Sequence, residues 1–315
     1  MGPDHGQPVS TFSTEHLHDA LDHSQSGAPA AGEAVRDLFS TDEIFQRVVA
    51  TANEEFSRSS RLLFLSGIAA GLSIGLSLVA RAIVLTFTGT EGASELVGNL
   101  VYPVGFVLIV LGRYQLYTEN TLTPVTLVLT RLASVPKLLK VWGVVLTANV
   151  LGAALMALVL IQTGIFDEAA AAMARSFGEH ALETSWRDLF WKGVFAGWIV
   201  ASMVWLTHAT RNATARLLLV FFLMYLIPTL DLFHCIIGAG EIFYLVFQGL
   251  ATWVDFGRFF SAVVLGNTLG GVVLVALLNF SQTEEARFPD RDFEQSRLSW
   301  REWVLTTGHE NGPQQ

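Results

Sequence analysis

Apolar runs of about 20 residues recur between residues 61 and 280, each long enough to cross a bilayer core of roughly 30 Å. No other feature limits the fold so sharply, because a run of this length and polarity has to be buried in lipid or protein. Composition agrees. Of the 315 residues, 51% are hydrophobic and only 15% charged, where soluble domains carry about 25%. Mean hydropathy is +0.46. The chain therefore reads as an all-α polytopic membrane protein.

The runs predict six spans, at about 61–88, 96–131, 140–164, 190–210, 216–252 and 256–280. The short loops carry opposite signs on alternate sides. Arg58 and Arg61 precede the first span, Arg131, Lys137 and Lys140 separate the second and third, Arg211 and Arg216 the fourth and fifth, and Arg287 and Arg291 follow the sixth. Glu91 and Glu95, then Asp167, Glu168, Glu179 and Glu183, mark the other side. The excess of Lys and Arg in cytosolic loops places both termini in the cytosol of a multi-pass plasma (bacterial inner) membrane protein. Four domains follow: a disordered acidic tail over 1–38, a cytosolic amphipathic helix over 39–60, a transmembrane domain over 61–280 and a cytosolic C-terminal tail over 281–315.

The net charge of −9 belongs mostly to the start of the chain: residues 1–60 hold ten acids and three Arg. No basic patch for nucleic acid is present. The single Cys excludes an intrachain disulfide. The polar start, with its first apolar run only near Arg61, predicts no cleavable signal peptide. His5, His16, His18 and His23 read as solvated tail histidines rather than metal ligands. From Ser40 the pattern changes to a helix. Ser40 and Glu43 have the spacing of a capping box, and Ile44, Val48, Val49, Ala52 and Phe56 fall on one face.

Two observations point to a transport site. "ANVLGAALMALV" (148–159) is echoed by "GNTLGGVVLVAL" (266–277), with Asn149 matching Asn267 at an offset of 118. Three spans per half is an odd number, so the halves must be inverted relative to each other. The second and fifth spans are too long for one crossing and are interrupted at equivalent places. Interrupted helices in inverted repeats are the best sequence pointer to a transport site. The first break reads "GRYQLYTENTLTPV" (112–125) and the second "LDLFHCIIGAGEIF" (230–243). Irregular backbone at membrane depth is tolerated only where protein buries it or it lines a wet cavity.

The motifs "LYTENT", "LFHCIIG" and "GNTLGG", with "DEIFQRVVATANEEF" before the first span, resemble the formate/nitrite transporter family over about residues 40–280. The resemblance implies an aquaporin-like protomer, a homopentamer with one pore per protomer, and passage of formate, nitrite or similar small monovalent anions. It puts the central His of the broken fifth helix on His234 and the residues of the second-helix break on Leu116, Tyr117 and Thr118. The family's outer-vestibule Lys falls near Ala181, beside His180. Its Asn on the fourth span falls on Gly197, the acid before the central His becomes Phe233, and the Asn after it becomes Gly238. Arg113, Glu119 and Glu241 are additions to the pattern.

The candidate pathway is therefore His234, Thr118, Leu116, Tyr117, Phe233, Glu119, Asn120, Gly238, Glu241, Asn149 and Asn267. His234 would offer a titratable hydrogen-bond donor between apolar constrictions, with a proton as candidate co-substrate, and Thr118 would orient it or cap its own helix end. Arg113, Glu119, Asp231 and Glu241 are expected to form an ion-pair network bracing the two breaks. Leu116, Tyr117, Phe233 and Phe243 are candidate gates, and Gly238 and Gly240 are expected to let the chain leave the helix. Cys235 reads as a small apolar filler. No metal cluster or nucleophile–base pair is visible, so no enzyme, metal or cofactor is expected. Two other functions remain open at this point: a cation or proton pathway, from the acids at the breaks, and an aquaporin-like pore for neutral solutes.

Overall fold

The computed structural model describes residues 39–283 and 297–306. The 1–38 tail with its four histidines, and residues 284–296 and 307–315 of the expected C-terminal tail, lie outside the described residues.

Helix α1 (Thr41–Ser57) opens on the capping box. The Glu43 N–H donates to Ser40 Oγ at 3.2 Å, and the Ser40 N–H donates to Glu43 Oε2 at 2.7 Å. Its buried face is Phe45, Val48, Val49, Ala52, Glu55 and Phe56. Phe45 rather than Ile44 points inward, and the face carries a carboxyl, Glu55, that hydrophobic spacing alone did not include.

Next come α2 (Ser60–Thr88), α3 (Ala93–Asn99) and α4 (Val104–Gly112), a 3-10 turn (Glu119–Thr121) and α5 (Thr123–Leu129). They are followed by α6 (Val135–Gln162), α7 (Glu168–Glu183), α8 (Trp186–His208), α9 (Ala213–Thr229) and α10 (Cys235–Val246). The described chain ends with α11 (Trp253–Gly271), a π-helical turn (Val272–Leu277), α12 (Leu278–Gln282) and α13 (Trp300–Leu305). Among the described residues, five helical segments are long and apolar enough to cross a membrane: Ser60–Thr88, Ala93–Gly112, Val135–Gln162, Trp186–His208 and Trp253–Gln282. The fifth span, expected to be interrupted, is two shorter apolar helices, α9 and α10. The region between the third and fourth spans is not a short loop but the 16-residue helix α7, which packs on α10 and α2. Part of the expected C-terminal tail is likewise structured: the Trp303 indole N–H donates to Val128 O at 2.7 Å, and Arg131 lies over the Trp300 ring.

Polarity is inside out relative to a soluble protein. Leu62, Leu65, Leu155, Phe195, Phe222 and Leu265 are exposed, while Asn149, Asn267, Thr118, Thr121 and His234 are buried. The two helix pairs α2–α6 and α8–α11 pack through glycine. A Cβ on Gly71 would meet Asn149 O at 2.2 Å, and one on Gly197 would meet Asn267 O at 2.1 Å. These contacts let backbones approach closely, which is how helices associate where lipid offers no hydrophobic drive.

Candidate permeation site

Both breaks begin alike. Helix α4 ends at Gly112, and Arg113 turns left-handed with φ 56°; helix α9 ends at Thr229, and Asp231 turns left-handed with φ 53°. The Tyr114 N–H reaches back to Ile109 O and the Leu232 N–H to Ile227 O, at 3.0 and 2.8 Å. The left-handed turn satisfies carbonyls that the helix end would otherwise leave unpaired. Each pair of donor and acceptor is offset by 118 positions, so the repeat seen in the motifs extends to the turns.

One asparagine then holds each break. Asn149 on α6 accepts from the Tyr117 N–H at 2.8 Å and donates to Gly67 O and Gln115 O, both at 2.9 Å. Asn267 on α11 accepts from the Cys235 N–H at 2.9 Å and donates to Gly193 O and Phe233 O at 2.8 and 3.0 Å. A carboxamide has two N–H donors and an oxygen with two lone pairs, and here both donors and one lone pair are used. Both residues are positioning groups of the breaks.

The breaks meet at Thr118 and His234. Thr118 Oγ and His234 Nε2 are 2.8 Å apart, and both residues are buried. The Ile237 N–H donates to His234 Nδ1 at 3.4 Å, so the imidazole caps the start of α10. With Nδ1 accepting, Nε2 carries the proton and donates to Thr118; this tautomer is assigned from the hydrogen bonds. Thr118 is then free to donate its own hydroxyl proton to a third group. The Phe106 ring stands edge-on to the imidazole at 5.0 Å between centroids.

Of the other expected pathway residues, Leu116 is fully buried and occupies the place in the first half that His234 holds in the second. Tyr117 is buried too, its hydroxyl 2.8 Å from Thr268 Oγ and its ring against Trp142. Asn120 donates to Gln115 Oε1 at 3.1 Å. Phe233 stacks on His180 at 6.0 Å, with Lys192 over its ring. Phe243, expected as a gate, stacks on Phe256 at 4.4 Å, within an aromatic cluster. Gly238 and Gly240 lie inside α10, so they do not break it; a Cβ on Gly238 would meet the Phe259 ring at 2.2 Å, and close packing is what requires that glycine.

The expected ion-pair network of Arg113, Glu119, Asp231 and Glu241 is not formed. Arg113 pairs with Glu54 of α1 at 2.6 Å. Asp231 pairs with Lys192 of α8 and with His180 of α7, the latter at 2.8 Å. The side-chain carboxyls of Glu119 and Glu241 make no hydrogen bond or ion pair with another described residue. Inversion of the two halves explains why Arg113 and Asp231 do not meet, because these equivalent residues end up on opposite faces.

Beside the Thr118–His234 contact lies a cavity of about 500 Å³ lined by Arg81, Glu95, His180, Asp231, His234 and Glu241, among others. Three residues that sequence reading missed shape the surroundings. Arg81 donates to Asn99 Oδ1 at 2.8 Å and lies over the Phe177 ring at 4.3 Å. As a cation inside an apolar run, it was a legible signal. Lys192 reaches Asp231 and Phe233, close to where a vestibule Lys was sought beside His180. On the opposite face, Glu55 of α1 accepts from the Thr123 hydroxyl at 2.7 Å, and burial pushes its carboxyl up to about 7.

Comparison with known proteins fits this geometry. A family model described as formate/nitrite transporter matches residues 42–281. The chain is 34% identical to the inner membrane protein YfdC of Escherichia coli (strain K12), over 76% of this chain and 77% of that one. It is 26% identical to the formate channel FocA of Haemophilus influenzae, over 59% and 67% of the two chains. Among solved structures, an FNT family ion channel superposes with a TM-score of 0.69 at 20% identity, over 76% of this chain and 99% of that one. A pentameric formate channel with formate bound gives 0.59 at 22% identity, over 74% and 97%. This multi-pass helical protein belongs to the formate/nitrite transporter family and is a membrane transport protein rather than an enzyme.

Proposed function

We propose that the protein carries small monovalent anions, formate, nitrite or similar anions of weak acids, through the waist at Thr118 and His234. It does so as a homopentamer in the bacterial inner membrane, with both termini cytosolic. One observation carries the reading: the buried Thr118–His234 hydrogen bond, where two broken helices meet beside a cavity that Arg81 helps to line. An imidazole donating to Thr118 directs the threonine hydroxyl proton outward, and an anion at an apolar constriction needs such a donor. Proton coupling belongs to the same reading; because both ring nitrogens of His234 are bonded, exchange at His234 itself waits on opening of the Thr118 bond.

A second reading, a cation or proton path, is favoured by Glu119 and Glu241, which have no ionic partner among the described residues. Flux in liposomes separates the two. Formate, nitrite, hydrosulfide, lactate, acetate and protons are compared under pH gradients, for the parent and for His234→Phe. Anion flux abolished by His234→Phe is the expected result. Proton or cation flux without anion flux would establish the second reading. Solute flux indifferent to pH and to His234 would mark a neutral-solute pore instead.

A further inference from the structure

Proton-coupled transport of weak-acid anions requires a group that can hand over a proton on the way in, and His234 is poorly placed for it. Its Nε2–H is held by Thr118, and its Nδ1 by the Ile237 N–H. A different titratable side chain lines the same cavity. Glu241 lies on α10 two turns beyond His234, and the spacing of His234, Gly238 and Glu241 puts them on one helix face; all three line the cavity. Glu241 is only 7% exposed, yet its carboxyl makes no hydrogen bond or ion pair with another described residue. Buried polar groups are almost always hydrogen-bonded, so a buried carboxyl open only to a cavity is completed by what enters that cavity.

We infer that Glu241 is the proton-exchange residue of the vestibule and the determinant that selects proton-accepting anions. In its acid form the carboxyl donates to an oxygen of the incoming anion. The Glu241 O–H bond breaks, an O–H bond forms on the anion, and the neutral acid moves on to the apolar waist. The carboxylate left behind regains its proton from water on the cavity side, so one proton enters with each anion. The transferred proton removes the cost of placing a bare charge between apolar walls. Charged and titratable groups facing Glu241 from the packed elements are Arg81 of α2, Glu95 of α3, Tyr102 before α4, His180 of α7, and Asp231 with its partner Lys192 of α8. Neither α6 nor α11 contributes a lining residue. Arg81, which lines the same cavity, supplies the local positive field that holds the anion while the proton moves.

This inference rests on the anion-transport reading, and the test keeps the two apart. Full-length parent, Glu241→Gln and Glu241→Asp are reconstituted, and uptake of formate and of nitrate, the anion of a strong acid, is measured with a pH dye inside the vesicles. Glu241→Gln keeps the size and a hydrogen-bond donor but cannot exchange a proton. Proton-driven formate uptake and internal acidification should fall by about tenfold or more in Glu241→Gln. Because nitrate takes no proton, the ratio of formate to nitrate flux should fall in Glu241→Gln, and Glu241→Asp should recover part of the formate flux. Parental formate uptake and acidification in Glu241→Gln overturn the role of Glu241 while leaving anion transport standing. A parent that carries neither anion overturns the transport reading itself, and this inference with it. If Glu241→Gln does not assemble, labelling of the parent with a hydrophobic carbodiimide decides, since the reagent attacks carboxylic acids in apolar sites. Peptide mass spectrometry should find the adduct on Glu241, formed more slowly in formate; an unmodified Glu241 overturns the inference.

Discussion

Arg113 and Asp231 occupy the same place in the fold, 118 positions apart, and bond to opposite faces of it. Each follows the first helix of a broken pair, each adopts a left-handed backbone, and each precedes a break held by one asparagine. Arg113 reaches Glu54 on α1, whereas Asp231 reaches His180 on α7. Their opposite charges invite a pairing that inversion forbids.

The Arg113–Glu54 pair is predicted to matter little. The two side chains are 65% and 50% exposed, and exposed pairs contribute roughly 0–1 kcal/mol. Arg113→Gly, which relieves the left-handed turn, should leave thermal stability unchanged or higher. A loss of several degrees would show that the pair is structural.

The asparagines should be far less tolerant. Asn267→Ala strands the buried Cys235 N–H and the Gly193 and Phe233 carbonyls, at about 1–3 kcal/mol for each group left unsatisfied. We expect assembled protein to be lost for Asn149→Ala and Asn267→Ala alike, read by size-exclusion chromatography of detergent extracts. Normal yield from either variant would remove the asparagines from the account of the breaks.

At the waist, Thr118→Val leaves the Nε2–H of His234 without its acceptor. Anion flux should fall sharply. If the two residues act through one bond, a double-mutant cycle with His234→Asn should be strongly non-additive. Additive losses would mean that Thr118 and His234 act separately.

Glycine packing predicts a contrast. A Cβ on Gly271 would lie 1.9 Å from Thr121 Oγ, and one on Gly197 would meet Asn267 backbone, while Gly257 has open space. Gly197→Ala and Gly271→Ala should lower the melting temperature in detergent. Gly257→Ala should not. Equal effects at all three sites would contradict the packing described here.

The seating of α1 should depend on pH through Glu55. Burial raises its carboxyl from about 4.5 to about 7, against the hydrogen bonds from Thr123 and Gln115. A raised folded-state value means stability that is complete below pH 4.5 and is lost as pH rises through 7, on the order of 3 kcal/mol in all. Limited proteolysis of α1 should quicken across that window in the parent and become nearly independent of pH in Glu55→Gln. An identical pH profile in both would place the dependence elsewhere.

Much of this protein was legible in its sequence. Long apolar runs can only be membrane helices, the capping box at Ser40 starts a helix by local hydrogen bonding, and the offset of 118 between Asn149 and Asn267 follows from duplicated motifs. Those features are local or periodic, so the order of residues is enough to determine them. Partner choice is not local. Whether Arg113 meets Glu119 or Glu54, whether Gly238 frees the backbone or makes room for Phe259, and whether a buried Glu241 is left facing a cavity depend on which helix faces are brought together. Even α7, polar enough to pass for a loop, is placed by its small-residue face against α10, where Gly178 lets the backbones approach. The sequence alone determined a duplicated, inverted helical membrane fold with two breaks. Tertiary packing alone decided which polar groups are spent holding the breaks and which remain to meet a solute, because hydrogen bonds and close contacts between distant segments exist only once the helices have met.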